Sequence, residues 1–195
     1  MTDEHVEPEW AMVTVLFVDI RGFTTIADRA TSRFAADYLK DFFDRIVPIV
    51  TAHAGEVNQM LGDGLLAIFR GHDHADQALR AGCGMLEAVA GEYRIGVGIN
   101  SGLVLIGTMG GGGFTRLGIV GDPVNVAARV QDATKELQAP LLLTAATKVL
   151  LEDPPAGLTP RGSLELRGKA TPVDVFAVTL SGRPTLTTER DVGTH

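Results

Sequence analysis

The sequence predicts an α+β fold of the ferredoxin-like split βαβ (βαββαβ) type, in which helices pack on a mainly antiparallel sheet. Three observations predict this class. An apolar, β-branched run opens the domain, and an amphipathic helical stretch follows it. Two short apolar runs joined by Gly62-Asp63-Gly64 then form a tight hairpin, before a second helical stretch and further strands. We also expect extra strands near the C-terminus.

The individual elements follow from local signals. Pro48 predicts a kink or an early end of the first long helix, and the glycine run 110–113 predicts a flexible hairpin tip. Asp122 is a good N-cap and Pro123 a good first helical residue. The predicted order is a buried strand over 10–19, a helix over 33–53, a hairpin of 56–61 and 65–69, a helix over 73–90, a second hairpin of 93–100 and 103–109 turning at Ser101-Gly102, a strand over 117–120, a helix over 122–137, a strand over 140–143, a short helix over 145–151, and strands around 164–166 and 173–178.

The 195 residues suffice for one domain. We expect an N-terminal extension over 1–10, one domain over 11–180 and a disordered tail over 181–195. No apolar run approaches the ~18 residues of a membrane span, the acidic start is not a secretory signal, and a lone cysteine, Cys83, suits a reducing cytosol. These features predict a cytoplasmic location and no membrane contact within this chain.

The formal net charge of −7 argues against a nucleic-acid partner, because a phosphate backbone needs a basic face. An anionic substrate would also need help to bind to such a chain. Metal ions held on carboxylates would provide that help.

Asp19 ends the first apolar strand, and Asp63 occupies the turn of the following hairpin. If the strand lies beside the hairpin, both carboxylates emerge at one edge of the sheet. Two such groups repel as ions, and a divalent cation between them relieves the repulsion; hard oxygen ligands favour Mg²⁺ or Mn²⁺ over zinc. The alternative is that Asp63 is only a turn residue and Asp19 only a helix cap.

Two further segments could contact a nucleotide. Gly22-Phe23-Thr24 leads into a helical stretch, where exposed backbone amides can hold phosphate oxygens. Asn125 and Arg129 are four residues apart and share a helix face, so an amide and a guanidinium could bind a ribose and a phosphorus centre with growing negative charge. A solvated arginine on an amphipathic helix is the alternative.

These segments together resemble a family. Phe17-Val18-Asp19-Ile20-Arg21-Gly22-Phe23-Thr24, Leu61-Gly62-Asp63-Gly64, and the run from Ile119 to Arg129 are similar to class III adenylate/guanylate cyclase catalytic domains of the bacterial type. The blocks occur in the family's order and spacing, and the similarity extends from about Val13 to Val178. Leu166-Arg167-Gly168-Lys169, followed by Pro172-Val173, matches the family's closing strand pair.

The resemblance implies a role for each of these residues. The reaction would close ATP, or GTP, to a 3′,5′-cyclic nucleotide with release of pyrophosphate. Two divalent ions, Mg²⁺ or Mn²⁺, would be the cofactors. The implied metal ligands are Asp19, Asp63 and the Ile20 carbonyl; Asn125 would orient the ribose, Arg129 would stabilise the transition state, and the phosphates would contact Gly22, Phe23, Thr24, Arg167 and Lys169.

The resemblance also implies a partner. In this family the metal aspartates and the Asn–Arg pair that serve one substrate come from different subunits. We therefore expect a head-to-tail homodimer with two composite sites, and an incomplete site in a monomer.

Base recognition departs from the family's pattern. The adenylate cyclases usually carry Lys where this chain has Gln59, and Asp or Thr where it has Gly118. Guanine-selective members usually carry Glu at the first position and a small residue at the second, and Gly118 offers only backbone. Gln59 can both donate and accept, so it can satisfy either purine. We slightly favour ATP, because Gln59 supplies no acidic group to meet the donors of guanine.

Two alternatives stay open. A cyclase-homology pseudoenzyme would bind nucleotide or a partner without turnover; the altered base positions support it and the intact Asp19, Asp63, Asn125 and Arg129 oppose it. A polymerase-like or cyclic dinucleotide synthase domain would also bind metal through two carboxylates. Such a domain does not account for Asn125 and Arg129 on one helix face.

Overall fold

The computed structural model of the chain describes residues 7–111, 114–166 and 171–179. Within these residues it contains eight strands and five helices. They are β1 (Glu9–Ile20), α1 (Phe23–Arg29), α2 (Ser32–Ala52), β2 (Gly55–Leu61), β3 (Gly64–Phe69), α3 (His74–Ala88), β4 (Ile95–Gly111), β5 (Phe114–Val120), α4 (Asp122–Glu136), β6 (Leu141–Thr144), α5 (Ala145–Lys148), β7 (Leu158–Leu164) and β8 (Val173–Val178).

The strands form one sheet in the order β2-β3-β1-β4-β6-β8-β7, and β5 pairs with the second half of β4. Every pairing is antiparallel except that of β4 with β6. The segment β2-β3-β1-β4 has the split βαβ order, and β7 and β8 are the additional C-terminal strands. The predicted fold class is therefore confirmed.

The two faces of the sheet carry different helices. On one face, Leu16, Val18 and Ile20 of β1 belong to the largest apolar core, together with buried side chains of α2 and α3. On the other face, Val13 and Val15 belong to a smaller core that includes Ala127 of α4. Because side chains alternate along a strand, the odd-numbered residues at the end of β1, including Asp19, face the α4 side.

Helix α4 lies very close to β4 because the strand carries glycine where the two meet. A β-carbon on Gly98 would be 2.2 Å from the backbone nitrogen of Gln131, and one on Gly102 would be 2.5 Å from Cγ of Pro123. Any larger residue at these positions would displace the helix. The glycines thus fix where α4 sits.

The predicted hairpin turn at Ser101-Gly102 is wrong. Residues 95–111 form one continuous strand, β4, because β1 is twelve residues long and pairs with β4 without interruption from Ile20↔Ile95 to Glu9↔Ile106. Gly102 marks the close approach of Pro123 rather than a turn.

Two helix boundaries also differ from expectation. Asp122 is the first residue of α4 and Gly121 is its N-cap, so the predicted capping role of Asp122 is wrong. Helix α2 continues through Pro48 to Ala52, so an early end at Pro48 is wrong as well.

The remaining expectations concern the chain's ends and surface. Gly110 and Gly111 are the last residues of β4 and pair with β5, so the predicted hairpin tip does not include them. Residues 112–113 and the tail over 181–195 lie outside the described residues. Among the helices that the structure describes, none has the length and apolar character that a bilayer span requires.

Candidate active site

Asp19 and Asp63 lie at the same edge of the sheet. Asp19 is the penultimate residue of β1 and pairs with Gly64, the first residue of β3. The backbone amide of Ile20 donates to the carbonyl oxygen of Asp63 at 3.4 Å. The β2–β3 turn is therefore bound to the end of β1, and the two aspartates are brought together as the sequence predicts.

The two strand neighbours of Asp19 are glycines. Its cross-strand neighbours are Gly64 on β3 and Gly96 on β4, so neither side contributes a side chain. Oδ2 of Asp19 lies 3.2 Å from the position that a β-carbon of Gly64 would occupy. A side chain at position 64 would therefore crowd the carboxylate.

The electrostatics of this edge disfavour the ionised carboxylate. Burial raises the pKa of Asp19 from 3.8 to about 6, with further contributions from the nearby negative charges of Asp63 and Asp132. A cation bound beside Asp19 would reverse this effect. Asp132, on α4, is a further acidic neighbour of this sheet edge that the sequence patterns did not identify.

The donor set suits a hard divalent ion. Two carboxylates meet at one edge, and within the described residues they belong to no larger cluster of three or more His, Cys, Asp or Glu. Mg²⁺ typically takes one or two carboxylates and completes its shell with water and substrate phosphates. Asp19 and Asp63, with the Ile20 carbonyl, therefore fit Mg²⁺ or Mn²⁺ in type and number.

The start of α1 follows directly after this edge. Gly22 has φ of 80° and precedes the first helical residue, Phe23. The first amides of a helix have no intrahelical partner, and Thr24 is exposed in this first turn. Phe23 stacks on Tyr38 of α2 with ring centroids 6.2 Å apart, which packs the start of α1 against α2.

Asn125 and Arg129 are both exposed on α4. The opposite side of the helix is anchored by the buried residues Val126, Ala127 and Val130. The amide and the guanidinium therefore project from a rigid, well-packed helix toward solvent. The geometry suits a contact with a ligand or with a second chain.

The two predicted base-contacting positions lie on strands that touch. Nδ2 of Asn58 donates to the Leu117 carbonyl at 3.4 Å, which ties β2 to β5 one residue before Gln59 and one before Gly118. Gly118 is buried, and a β-carbon there would be 2.8 Å from Sδ of Met109. Met109, which the sequence patterns did not identify, thus occupies the space of the missing side chain.

Two predicted phosphate contacts are not located. Arg167 and Lys169 lie outside the described residues, and their phosphate-binding role stays a prediction.

Two polar side chains near α4 have structural importance that sequence patterns did not reveal. Arg21, inside the first motif, donates to the carbonyl groups of Thr134 and Ala139 at the C-terminal end of α4. Asn100 is buried in β4 and donates to the carbonyl of Pro123 at the N-terminal end. No sequence motif marks these two residues as supports of α4, because each donates to backbone carbonyls that are distant in sequence.

Comparison with known proteins agrees with this fold. A family model described as the adenylate and guanylate cyclase catalytic domain matches residues 6–179. Adenylate cyclase 1 of Rhizobium meliloti (strain 1021) is 28% identical over 192 residues, which cover 91% of this chain and 29% of that protein. The terminal-differentiation specific adenylate cyclase of Dictyostelium discoideum is 28% identical and is matched over 8% of its length. This chain thus spans less than a third of either relative.

Solved structures show the same fold. The adenylyl cyclase CyaB from P. aeruginosa superposes with a TM-score of 0.80 at 24% identity, covering 93% of this chain and 100% of that one. The guanylyl cyclase Cya2 superposes with a TM-score of 0.78 at 24% identity, covering 89% and 93%. The chain belongs to the adenylate and guanylate cyclase catalytic domain family, as the sequence motifs indicate.

Proposed function

We propose that this chain converts a purine nucleoside triphosphate to its 3′,5′-cyclic monophosphate and pyrophosphate, at sites shared between two copies. The ribose 3′-oxygen attacks the α-phosphorus, the bond from that phosphorus to the α–β bridging oxygen breaks, and the hydroxyl proton is released. The observation that carries the proposal is the meeting of Asp19 and Asp63 at one sheet edge, in a chain whose Asn125 and Arg129 project from α4.

Asp19 and Asp63, with the Ile20 carbonyl, would hold two divalent ions, Mg²⁺ or Mn²⁺. Bound there, the ions would neutralise the triphosphate and favour ionisation of the attacking hydroxyl. The raised pKa of Asp19 supports this assignment, because the carboxylate lies where a positive charge is needed. The backbone amides of Gly22-Phe23-Thr24 would bind phosphate oxygens beside it, and Arg167 with Lys169 would bind the terminal phosphates.

Asn125 and Arg129 would act on the reacting end of the substrate. The amide of Asn125 orients the ribose, and the guanidinium of Arg129 offers fixed donors to the charge that grows on the phosphoryl oxygens. Both side chains are exposed, whereas the helix that carries them is anchored on β4. This exposure supports a site completed by the metal edge of a second copy, that is, by its Asp19, Asp63 and Ile20 carbonyl.

The substrate is ATP in this proposal, with GTP as the alternative. Gln59 and Gly118 would contact the base, and their strands are joined by the bond between Asn58 and Leu117. Neither position carries an acidic group that would match the donors of guanine. The relatives named adenylate cyclase support the same choice.

The decisive experiment pairs two inactive chains. Asp19→Ala removes a metal ligand and Arg129→Ala removes the transition-state donor, and each homodimer should lose at least about 10²–10³ in rate. Mixing the two variants under conditions of proven subunit exchange should restore part of the activity, because some heterodimers keep one complete site. Lack of rescue in such mixtures would contradict the shared site.

The competing function is nucleotide binding without turnover, which the departures at Gln59 and Gly118 favour. It makes a different prediction for the wild-type chain with Mn²⁺ and either ATP or GTP. The cyclase releases pyrophosphate and forms the cyclic nucleotide, while the pseudoenzyme does neither.

A further inference from the structure

The segment after Asp19 contains an arginine whose side chain contacts the end of α4. Arg21 is half-buried, and one of its terminal nitrogens, Nη2, donates to the Thr134 carbonyl at 2.9 Å and to the Ala139 carbonyl at 3.0 Å. Its own backbone amide donates to the carbonyl of Arg94 at 2.7 Å, which fixes the base of the side chain beside β4. Arg21 therefore joins the end of β1 to the end of α4.

The two carbonyl groups lie where a cation is favourable. Thr134 is in the last turn of α4, and its carbonyl also accepts from the backbone amide of Ala139 at 3.1 Å; Ala139 itself follows the helix end. A positive group at a helix C-terminus also interacts favourably with the helix dipole. Both carbonyls accept from the same nitrogen, Nη2, so one end of the guanidinium serves both of them. A lysine would keep the positive charge but would carry it on a compact ammonium group in place of the planar guanidinium.

The end of α4 that Arg21 contacts also packs closely against β4. Thr134 is 1% exposed, and its Oγ1 would be 2.3 Å from a β-carbon on Gly96, the cross-strand partner of Asp19. Nε2 of Gln131 also donates to the Gly96 carbonyl at 3.4 Å. A change at Arg21 therefore reaches the C-terminal half of α4, from which Arg129 projects.

We propose that Arg21 is a positioning residue that holds α4, and so Asn125 and Arg129, in place for the site completed by the partner copy. The inference rests on the proposed shared-site cyclase. It has an unusual consequence: Arg21 follows a metal ligand by two residues, yet it supports catalysis at the other metal centre of the dimer, because its own α4 serves that centre.

Heterodimers of defined composition test this assignment. Two differently tagged chains, Asp19→Ala and Arg129→Ala, are co-expressed and purified through both tags. The heterodimer has one complete site, built from the metal edge of the Arg129→Ala chain and the α4 of the Asp19→Ala chain. Arg21→Met is then added to one chain or to the other, and kcat, KM and the Mn²⁺ concentration for half-maximal rate are measured.

With Arg21→Met on the chain that supplies α4, we expect kcat to fall about tenfold or more, since displacements near 1 Å can cost 10²-fold. KM and the Mn²⁺ requirement should stay nearly constant. With Arg21→Met on the chain that supplies the metal edge, the rate should stay close to that of the unmodified heterodimer. Arg21→Lys on the α4 chain should lie between wild type and Met.

The controls separate this inference from the fold and from the proposed function. Arg80→Met, the same change at an exposed residue of α3, should have no effect in either chain. Equal losses in both arms, or a loss confined to the metal-edge chain, would overturn the inference while leaving the cyclase intact. An inactive unmodified heterodimer beside an active wild type would refute the shared site, and the inference with it.

Discussion

Gly98 of β4 lies directly against Gln131 of α4, so closely that a β-carbon on Gly98 would be 2.2 Å from the Gln131 nitrogen and 2.6 Å from its α-carbon. The obstructing atoms are backbone, which cannot move without the helix. Arg129 is two residues away from Gln131. The position of α4, which carries the proposed catalytic residues, thus depends on the absence of a side chain in β4, the strand that also pairs with Asp19.

Gly98→Ala should therefore displace α4. We expect a loss of about 1–3 kcal/mol in the free energy of unfolding from overpacking, and a fall in kcat that approaches about 10²-fold if α4 moves by 1 Å. Thermal unfolding and steady-state kinetics measure the two effects. Gly111→Ala is the matched control, because a β-carbon there meets nothing within 4 Å; a Gly98 variant as active as this control would show that α4 tolerates the shift.

Asp19→Asn should stabilise the metal-free protein. The pKa of Asp19 is raised to about 6 in the fold, so its stabilising contribution is complete below pH 4 and is lost as the pH rises through about 6. Removing the charge should recover about 1–3 kcal/mol at pH 7.5, which is roughly 2–10 °C in Tm for a chain of this size. The difference between variant and wild type should vanish near pH 4.

The same pair of proteins tests metal binding without any assay of activity. Mn²⁺ should raise the Tm of the wild type at pH 7.5, because a ligand that binds only the native state stabilises that state. It should raise the Tm of Asp19→Asn much less, because the variant lacks the proposed carboxylate ligand. Asp153→Asn, an exposed carboxylate after α5, should behave as the wild type. Equal Mn²⁺ shifts in all three proteins would place the ion elsewhere.

Local signals predicted the strand that ends at Asp19 and the hairpin that turns at Asp63, whereas the meeting of the two residues also depends on the pairing of β1 with β3. A strand end, a two-residue turn and an alternating pattern are each readable within a few residues. The turn at Ser101-Gly102 failed for the opposite reason. A glycine in a strand can signal a turn or the close approach of another element, and only the packing of Pro123 on Gly102 distinguishes the two.

The supports of α4 could not be predicted for a similar physical reason. Arg21 and Asn100 hold the helix through its backbone carbonyls, at Thr134 and Pro123 respectively. Every residue has a backbone carbonyl, so the sequence does not show which carbonyl accepts the hydrogen bond. The motif predicted roles for Asn125 and Arg129. The residues that hold their helix in place could be identified only from the three-dimensional structure.

Asn100→Ala should impair catalysis as well as stability. Its Nδ2 donates to the Pro123 carbonyl at 3.0 Å, two residues before Asn125, and its Oδ1 accepts from Thr144 at 2.7 Å. Leaving such buried groups unpaired costs about 1–3 kcal/mol, and the N-terminal turn of α4 loses its polar anchor. We expect kcat to fall more than KM rises.

Thr144→Val is the matched control for Asn100. It removes the hydroxyl bond to Asn100 but leaves the bond to Pro123, so it should lower Tm while kcat changes little. Similar kinetics in the two variants would show that Asn100 stabilises the fold without orienting α4.

Base selectivity should be adjustable at the β2–β5 contact. Gln59→Lys with Gly118→Asp restores the residue types usual in adenylate cyclases of this family, and we expect kcat/KM for ATP to rise relative to GTP by about 10-fold or more, the range of one or two well-placed polar contacts. The new side chain at position 118 meets Sδ of Met109 at 2.8 Å. This atom lies near the end of a flexible side chain that can move, so the substitution should be tolerated.

The reciprocal change provides the contrast. Gln59→Glu supplies an acceptor for the donors of guanine and should move the ratio of kcat/KM toward GTP, with Gly118 unchanged. Met60→Leu, at the exposed next residue of β2, should leave the ratio as it is. If all three proteins discriminate the purines equally, Gln59 does not contact the base, and the recognition of the ring must lie with other groups such as Met109.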